Sequence, residues 1–245
     1  MYQENYLVFD IETTPLDFES FSESQREYLL RNAATDEEKQ KKLGEMALTP
    51  LTGKIICIGM QMMTSNGEGS YDTIKRLAYA VPIEFEEELF EKKSLESGYD
   101  CYLCSEQRML EDFWKILKKY ENCSLVSFNG RNFDAPYVML RSALLGIRPY
   151  RNIMAGTKFN YPLHIDLIDE LTYYSPSQYG ATKRFNFDFY TRAFGITSPK
   201  SEGIDGSKVT EFYKEGKILD IAEYCLRDVK ATWELFCKWK ELLKF

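Results

Sequence analysis

The segment YLVFDIETTP, residues 6–15, restricts the possible folds because it joins an apolar strand to two neighbouring carboxylates. Residues 5–10 are predicted to form a buried strand, and side chains at positions i and i+2 of a strand point to the same face. Asp10 and Glu12 should therefore lie side by side, although like charges on one face make each other harder to ionise. Such a pair arises by accident, at a solvated strand end, or where a cation binds between the acids.

Two further acids stand next to predicted core elements. Asp134 follows the sequence SFNGRNF, just after the apolar strand predicted at 124–130. Asp228 lies in the last helix, beside the apolar stripe of that helix. Tyr224 lies on the same helix face as Asp228, because the two residues are four positions apart. A carboxylate next to a buried stripe costs free energy unless it is paired or binds a metal. We therefore expect these positions and the Asp-x-Glu pair to form one cluster.

The composition of this cluster favours a hard cation. Carboxylate oxygens without histidine or cysteine select Mg²⁺ or Mn²⁺. Two such ions about 4 Å apart can activate a water molecule and stabilise a leaving oxygen on phosphorus. The alternatives are an ordinary polar strand end for Asp10 and Glu12, a helix N-cap before Pro136 for Asp134, and a core aromatic for Tyr224.

The order of predicted elements indicates one α/β domain covering residues 1–245. Apolar strands come first, and the Asn-Gly turn at Asn66 predicts a hairpin. Alternating strands and helices follow, which predicts a mixed β-sheet flanked by helices. The charged segment 17–49 is predicted to be a helical insertion after the first strand, and the acidic stretch 83–93 a short helix or a solvated loop. Further strands are predicted at 54–63, 71–80, 99–104 and from 163, and helices at about 106–121, from 134, at 186–194 and from 207 to about 242.

Composition and charge exclude several classes of protein. The 38 acidic and 31 basic residues give a net charge of −7, which argues against a broad polycationic surface but leaves room for a local basic groove. The six cysteines are scattered, so we expect reduced and mostly buried thiols. No apolar run approaches about 18 residues and the N-terminus shows no secretory signal, so we expect a cytoplasmic protein with no membrane partner.

Three motifs resemble those of a known superfamily. FDIET, SFNGRNFDAP and YCLRDVKAT are similar, in order, to the exonuclease motifs of the DEDD superfamily of 3′-5′ exonucleases, which have an RNase H-like fold. Tyr224 resembles the tyrosine subclass; the histidine subclass has its histidine five residues before the last aspartate, where this chain has Glu223. The likeness is greatest to stand-alone bacterial exonucleases similar to the proofreading domain of family-B DNA polymerases. It extends from residue 5 to about residue 240 and includes the segment SPKSEGIDGSKV.

The resemblance implies roles for individual residues. Asp10, Glu12, Asp134 and Asp228 would hold two Mg²⁺ or Mn²⁺ ions, and Tyr224 would touch the attacking water. Because free tyrosine has a pKa of about 10, we interpret that residue as an orienting hydrogen-bond partner rather than a base. We also expect Thr13, Asn129, Phe133 and Lys200 to contact substrate. Asn129 would do so near the scissile end.

Other residues leave alternatives open. Related enzymes tend to have an S-L-D segment before the helix that ends at Gly195, where this chain has KRFNFDFY, whose basic residues could meet phosphates or form a solvated loop. Asp166 is a candidate supporting acid or a surface acid, and His164 is expected to be structural. Loop aromatics could stack unpaired bases or form packing: Phe159, Tyr161, Tyr173, Tyr174 and Tyr179.

The motifs predict an enzyme that hydrolyses terminal phosphodiesters of single-stranded nucleic acid, with DNA preferred, and releases nucleoside monophosphates. An exoribonuclease and a non-catalytic nucleic-acid-binding module of the same fold are the alternatives, because the 2′-OH is read by contacts that motifs do not specify. The expected partners are 3′ ends of single-stranded DNA and, in trans, a polymerase or repair protein.

Overall fold

The computed structural model describes residues 4–67, 70–84, 89–198, 206 and 208–244. Within these residues the chain forms one seven-stranded sheet in the order β4-β5-β3-β2-β1-β6-β7. The strands are β1 (Asn5–Pro15), β2 (Gly53–Ser65), β3 (Tyr71–Ala80), β4 (Glu91–Ser94), β5 (Asp100–Leu103), β6 (Ser124–Ser127) and β7 (His164–Asp166).

The sheet is mixed, as the sequence predicts. Strand β1 pairs antiparallel with β2 and parallel with β6, β2 and β3 form the expected antiparallel hairpin, and β3–β5 and β6–β7 are parallel. Gly67 in the hairpin turn has φ of 82°, a left-handed conformation that glycine adopts without a steric penalty. The parallel pairing of β1 with β6 brings the carboxyl end of β6, and the loop after it, alongside the acids of β1.

Helices cover both faces of the sheet. They are α1 (Glu23–Leu30), α2 (Asp36–Glu45), α3 (Glu106–Lys119), α4 (Asp134–Leu144), α5 (Leu167–Leu171), α6 (Phe187–Ala193), α7 (Val209–Lys214) and α8 (Ile218–Leu242). Leu7, Phe9 and Ile11 of β1 pack in one core with α3 and α4, whereas Tyr6 and Val8 pack with α8 on the other face. By this alternation Asp10 and Glu12 point toward α8.

The segment 17–49 is helical, as expected after the first strand. Helices α1 and α2 both begin with capping boxes, at Ser22 and Thr35, and contain no buried residue. None of the helices in the described residues combines the length and the hydropathy of a membrane-spanning segment.

Two expectations about strands are wrong. Strand β1 does not end at Asp10 but continues to Pro15, because Thr13 and Thr14 keep pairing with β2 opposite Ile55 and Lys54. The stretch predicted as a helix or loop over 83–93 instead contains strand β4, which pairs antiparallel with β5. Its charged side chains suit an edge strand, where charge discourages pairing with other chains. Residues 85–88 of that stretch lie outside the described residues.

Candidate metal centre and its surroundings

The structure brings together the four carboxylates that the sequence singles out. Asp10 and Glu12 come from the middle of β1, Asp134 is the first residue of α4, and Asp228 lies in α8. The backbone N–H of Ile11 donates a hydrogen bond to Oδ1 of Asp134 at 3.0 Å, which ties the start of α4 to the strand between the other two acids. Asp134 is not the N-cap of α4, because Phe133 occupies that position and Asp134 is the first helical residue.

Burial and the charges of neighbouring acids raise the pKa values of three of the four carboxylates. Burial raises the pKa of Asp10 well above its usual value, and the charges of Asp134, Asp228 and Glu12 raise it further. Burial and the charge of Asp228 raise the pKa of Glu12 in the same way. For Asp134, burial raises the pKa to about 7, against the opposing hydrogen bond from Ile11. A cluster of carboxylates that repel one another, two of them buried and two half-buried, fits divalent cations, because bound cations would offset the repulsion.

Helix α4 is held in place by a buried ion pair. Arg141 of α4 donates to both carboxylate oxygens of Glu106 in α3, from Nε at 2.8 Å and from Nη2 at 2.6 Å. The first of these oxygens also accepts from the backbone N–H of Ile55 in β2 at 2.8 Å. The pair therefore joins two helices to the sheet and fixes the position of Asp134 at the start of α4.

A cysteine also belongs to the cluster, which the sequence did not predict. The thiol of Cys225 lies 3.4 Å from the backbone oxygen of Asp10 and 3.5 Å from its Oδ2. One ligand atom each from Asp10, Glu12 and Cys225 lies within 4.8 Å of the others. The sequence analysis considered only carboxylate oxygens as ligands, and Cys225, three residues before Asp228 in α8, is an additional neighbour of these oxygens. All six cysteines are free thiols and five are buried, as expected.

Tyr224 faces the cluster rather than the core alone. It lines a cavity of about 110 Å³ together with Asp10, Asp228, Asp188, Phe128, Phe187 and Thr232. Burial raises its pKa far above the usual value, and the charge of Asp228 and a hydrogen bond with that carboxylate raise it further. The phenol is therefore neutral near pH 7 and suited to donate a hydrogen bond, not to accept a proton as a base.

The loop between β6 and α4 is organised by Asp166. Its carboxylate accepts hydrogen bonds from the backbone N–H groups of Asn129 at 2.7 Å, Arg131 at 2.8 Å and Ile168 at 3.3 Å. Burial raises its pKa to about 6. Asp166 is thus a buried supporting acid, 1% exposed, that shapes the loop leading to Asp134.

The glycine and histidine near this loop have structural roles. A Cβ atom at Gly130 would lie 2.3 Å from Oγ of Ser127, so only glycine fits this turn. The hydroxyl of Ser127 is hydrogen-bonded to Nε2 of His164 at 2.8 Å. Burial lowers the pKa of this histidine to about 3, so it is neutral and structural, as the sequence analysis expected.

The structure describes three of the four residues that were predicted to contact substrate. The hydroxyl of Thr13 donates to the backbone oxygen of Ala47 at 2.9 Å and ties β1 to the end of the helical insertion. Asn129 has φ of 64° in the loop that Asp166 holds. Phe133 packs on Tyr137, with ring centroids 5.4 Å apart. Lys200 and most of the predicted loop at 196–209 lie outside the described residues.

Sequence reasoning missed four residues of the cavity: Phe128, Phe187, Asp188 and Thr232. Phe128 follows β6 and packs on Phe187 of α6, with ring centroids 4.8 Å apart. Asp188, next in α6, accepts a hydrogen bond from Nε of Arg192 at 2.8 Å and one from the hydroxyl of Ser198. No motif spacing connects α6 to the other elements of the site, so only the folded chain reveals these neighbours.

A family described as a predicted 3′-5′ exonuclease related to the exonuclease domain of PolB matches residues 51–244 of this chain. The match covers Asp134, Tyr224 and Asp228 and begins after Asp10 and Glu12.

Archaeal DNA polymerases are similar to this chain over part of their length. "DNA polymerase 1" of Pyrococcus abyssi is 24% identical over 159 residues, which cover 58% of this chain and 19% of the polymerase. "DNA polymerase" of Thermococcus gorgonarius is 23% identical over 163 residues, with the same two coverages of 58% and 19%. "DNA polymerase 1" of Aeropyrum pernix is 37% identical over 95 residues, 37% of this chain and 9% of the polymerase. The match thus spans less than a fifth of the length of these relatives.

A solved structure shows the same fold. The family B DNA polymerase from Pyrobaculum calidifontis superposes on 98% of this chain and 24% of its own, with a TM-score of 0.53 and 17% sequence identity. The mixed seven-stranded sheet with flanking helices is therefore the RNase H-like fold of such exonuclease domains, which confirms the predicted fold class.

Proposed function

The chain belongs to the family of predicted 3′-5′ exonucleases related to the exonuclease domain of PolB, and from this premise we propose a specific activity. The protein hydrolyses the terminal phosphodiester at the 3′ end of single-stranded nucleic acid, with DNA preferred, and releases nucleoside monophosphates. The observation that carries this proposal is the convergence of Asp10, Glu12, Asp134 and Asp228, in which burial and the charges of neighbouring acids raise the pKa values of the first three.

The four carboxylates would hold two Mg²⁺ or Mn²⁺ ions. Such ions, when bound, acidify a water molecule and neutralise charge on the phosphoryl oxygens. Asp134 is held by Ile11, and Asp10 and Glu12 by their strand, so these acids are positioned before substrate arrives. A fixed arrangement of this kind avoids reorganisation during the reaction.

Tyr224 supplies a hydrogen bond to the site. Its neutral phenol lines the cavity beside Asp10 and Asp228, where it would orient the attacking water. The buried thiol of Cys225 and the hydroxyl of Thr232 complete the wall that α8 presents to the cavity and to Asp10. Phe128 and Phe187 form an apolar side of the same cavity, which suits the sugar or base of a terminal nucleotide.

Two substitutions test the activity. Asp10→Asn and Asp228→Asn should each reduce Mn²⁺-dependent digestion of a 3′-labelled single-stranded oligonucleotide by at least about 10²-fold, because each removes a charge from the cluster. Asp220→Asn, an exposed acid on α8, is the matched control and should digest the oligonucleotide at the normal rate. Thermal unfolding should show that all three variants are folded.

Metal titration and a choice of substrates complete the test. Calorimetry should detect Mn²⁺ binding to the wild type and much weaker binding to Asp10→Asn. Wild-type rates of digestion in both variants would refute the assignment, and a wild type that binds oligonucleotide without Mn²⁺ binding or hydrolysis would indicate a non-catalytic module. Matched DNA and RNA strands decide between the deoxyribonuclease and exoribonuclease alternatives through the 2′-OH.

A further inference from the structure

A second cavity lies on the face of the sheet opposite to the carboxylate cluster. Its volume is about 180 Å³, and it lies between strands β1, β2 and β3 and the last turn of α3. Leu7 of β1 lines it and packs in the core under α3 and α4, away from α8. This cavity, which we call the back cavity, is therefore separated from the proposed site of chemistry by the sheet itself.

The wall of the back cavity is mostly apolar and buried. Leu7, Met60, Met62 and Leu77 all line it, and each of them is at most 4% exposed. Protein interiors contain few voids larger than a water molecule, whereas an apolar cavity of about 150 Å³ stays dry and can hold a molecule of benzene. The back cavity therefore has the size and the lining for one small apolar ring.

Two kinds of side chain in the wall suit an aromatic ring in particular. Met60 and Met62 carry thioether sulfurs, which make favourable contacts with aromatic rings, and their flexible side chains adapt to the shape of a ligand. Tyr79 also lines the cavity, and its ring stacks on that of Tyr102, with centroids 5.3 Å apart and planes inclined by 27°. The cavity thus has one fixed aromatic side and one adaptable side.

The entrance of the back cavity is positively charged. Lys75 of β3 and Lys119 of α3 line it and are exposed, whereas the apolar strand residues of the wall are buried. The ammonium group of Lys75 lies 5.5 Å from the ring centroid of Tyr102, and that of Lys119 lies 5.4 Å from the ring centroid of Tyr120. Among the described residues, no acidic side chain lines the cavity. Two cations at the mouth of an apolar cavity favour an anion whose apolar part enters the cavity.

We propose that the back cavity binds a small aromatic carboxylate. The ring lies between Met60, Met62 and Tyr79, and the carboxylate stays at the entrance between Lys75 and Lys119. A nucleotide, with its base, sugar and phosphate, is larger than about 180 Å³, so the back cavity is not a second site for the substrate of the proposed reaction. The proposal does not depend on the exonuclease function.

A fluorinated probe tests whether the ring enters the cavity. para-Fluorobenzoate should show a saturable change in its fluorine NMR signal with the wild type, and it should shift the signals of labelled methyl groups at Met60 and Met62. Ile116 lines the cavity from α3 and is only partly buried. Ile116→Phe places a ring in the space for the ligand and should raise the Kd by at least about tenfold. Ile116→Val leaves the space open and should bind the probe like the wild type.

The lysines are tested with a charged and a neutral probe. Lys75→Met and Lys119→Met keep an apolar stem but lose the charge, so each should raise the Kd of para-fluorobenzoate about two- to fivefold, the range for one exposed ion pair. The Kd of neutral fluorobenzene should stay the same in both variants. Lys118→Met removes the neighbouring exposed lysine of α3, which does not line the cavity, and should bind both probes like the wild type.

Several outcomes would overturn the proposal. Binding that does not saturate, or that is unchanged in Ile116→Phe, would show that the ring does not enter the back cavity. Wild-type Kd values for para-fluorobenzoate in both surface variants, Lys75→Met and Lys119→Met, would rule out an anion held at the entrance.

The binding assay is independent of catalysis. Asp10→Asn changes the other face of the sheet, so this variant should bind para-fluorobenzoate like the wild type. If the wild type digests no oligonucleotide but binds the probe as described, the exonuclease function fails and the back cavity stands as a binding site. If digestion is normal and the probe does not bind, the function stands and this proposal fails.

Discussion

Gly59 determines how closely α8 approaches the sheet, so its replacement by alanine is expected to open the carboxylate cluster. Gly59 of β2 is the cross-strand partner of Asp10. A Cβ atom there would lie 2.8 Å from Sγ of Cys225, 3.1 Å from Cγ2 of Val229 and 3.2 Å from the backbone oxygen of Cys225. Because one of these contacts is to backbone, rotation of side chains cannot relieve it, and α8 must move away from β2.

The size of the effect follows from this overpacking. An extra methyl group in a well-packed core costs about 1–3 kcal/mol. For a chain of this size, each kcal/mol lowers Tm by about 2–4 °C, so we expect Tm to fall by about 2–12 °C. Moving α8 by a few tenths of an ångström also moves Tyr224 and Asp228 away from Asp10. Since a misplacement of about 1 Å can cost about 10²-fold in rate, we expect a loss of about tenfold in kcat and weaker Mn²⁺ binding.

Second-site rescue tests this reasoning beyond a general loss of stability. In Gly59→Ala/Cys225→Ala the nearest obstructing atom is gone, so Mn²⁺ affinity by calorimetry and exonuclease rate should recover in part. Gly44→Ala is the control, because a Cβ atom there meets nothing within 4 Å and alanine favours the helix. If Gly59→Ala binds Mn²⁺ and digests oligonucleotide like the wild type, the close approach of α8 is not needed and the argument fails.

Two further predictions concern pH and the phenol. Burial raises the pKa of Asp134 from 3.8 to about 7, so the folded state favours the neutral acid; the stability this contributes is fully present below about pH 4 and is lost as the pH rises to about 7. Asp134 should therefore account for up to about 4 kcal/mol of the stability that the metal-free wild type loses across that range by urea unfolding, and Asp134→Asn should lose less than the wild type; a flat profile in the wild type would contradict this. Tyr224→Phe removes the hydrogen bond next to Asp228, so kcat should fall about 10- to 100-fold while Mn²⁺ affinity by calorimetry is retained; a normal kcat would exclude the orienting role.

Local periodicity predicted most elements of this fold. The errors lie where pairing between distant segments determines whether a segment forms a strand. The alternation of β1 places Leu7 and Phe9 on one face and the acids on the other, as the pattern indicated. The strand runs beyond Asp10 because Thr13 finds a partner in β2, which the sequence of the strand alone does not reveal. Strand β4 escaped prediction because its charged residues carry no apolar alternation and form a strand through pairing with β5.

In the site, too, local relations were predictable from the sequence and distant contacts were not. Spacings of two in a strand and four in a helix were enough to place Asp10 beside Glu12 and Tyr224 beside Asp228. Contacts between elements were not predictable, and the thiol of Cys225 beside Asp10 joins residues 215 positions apart. The sequence motifs identify the acids that converge. The packing of the elements determines which neutral groups line the space between these acids.

Packing also explains why this cluster should link folding to metal binding. Gly59 permits α8 to lie against β2, and that contact buries Asp10 and Glu12 next to Asp228. The same burial that arranges the ligands makes their charged forms unfavourable in the metal-free chain. A cation that binds the folded cluster and not the unfolded chain removes this penalty, so it must stabilise the fold as it binds. The gain should increase with pH, because more of the carboxylates are then charged before the cation arrives.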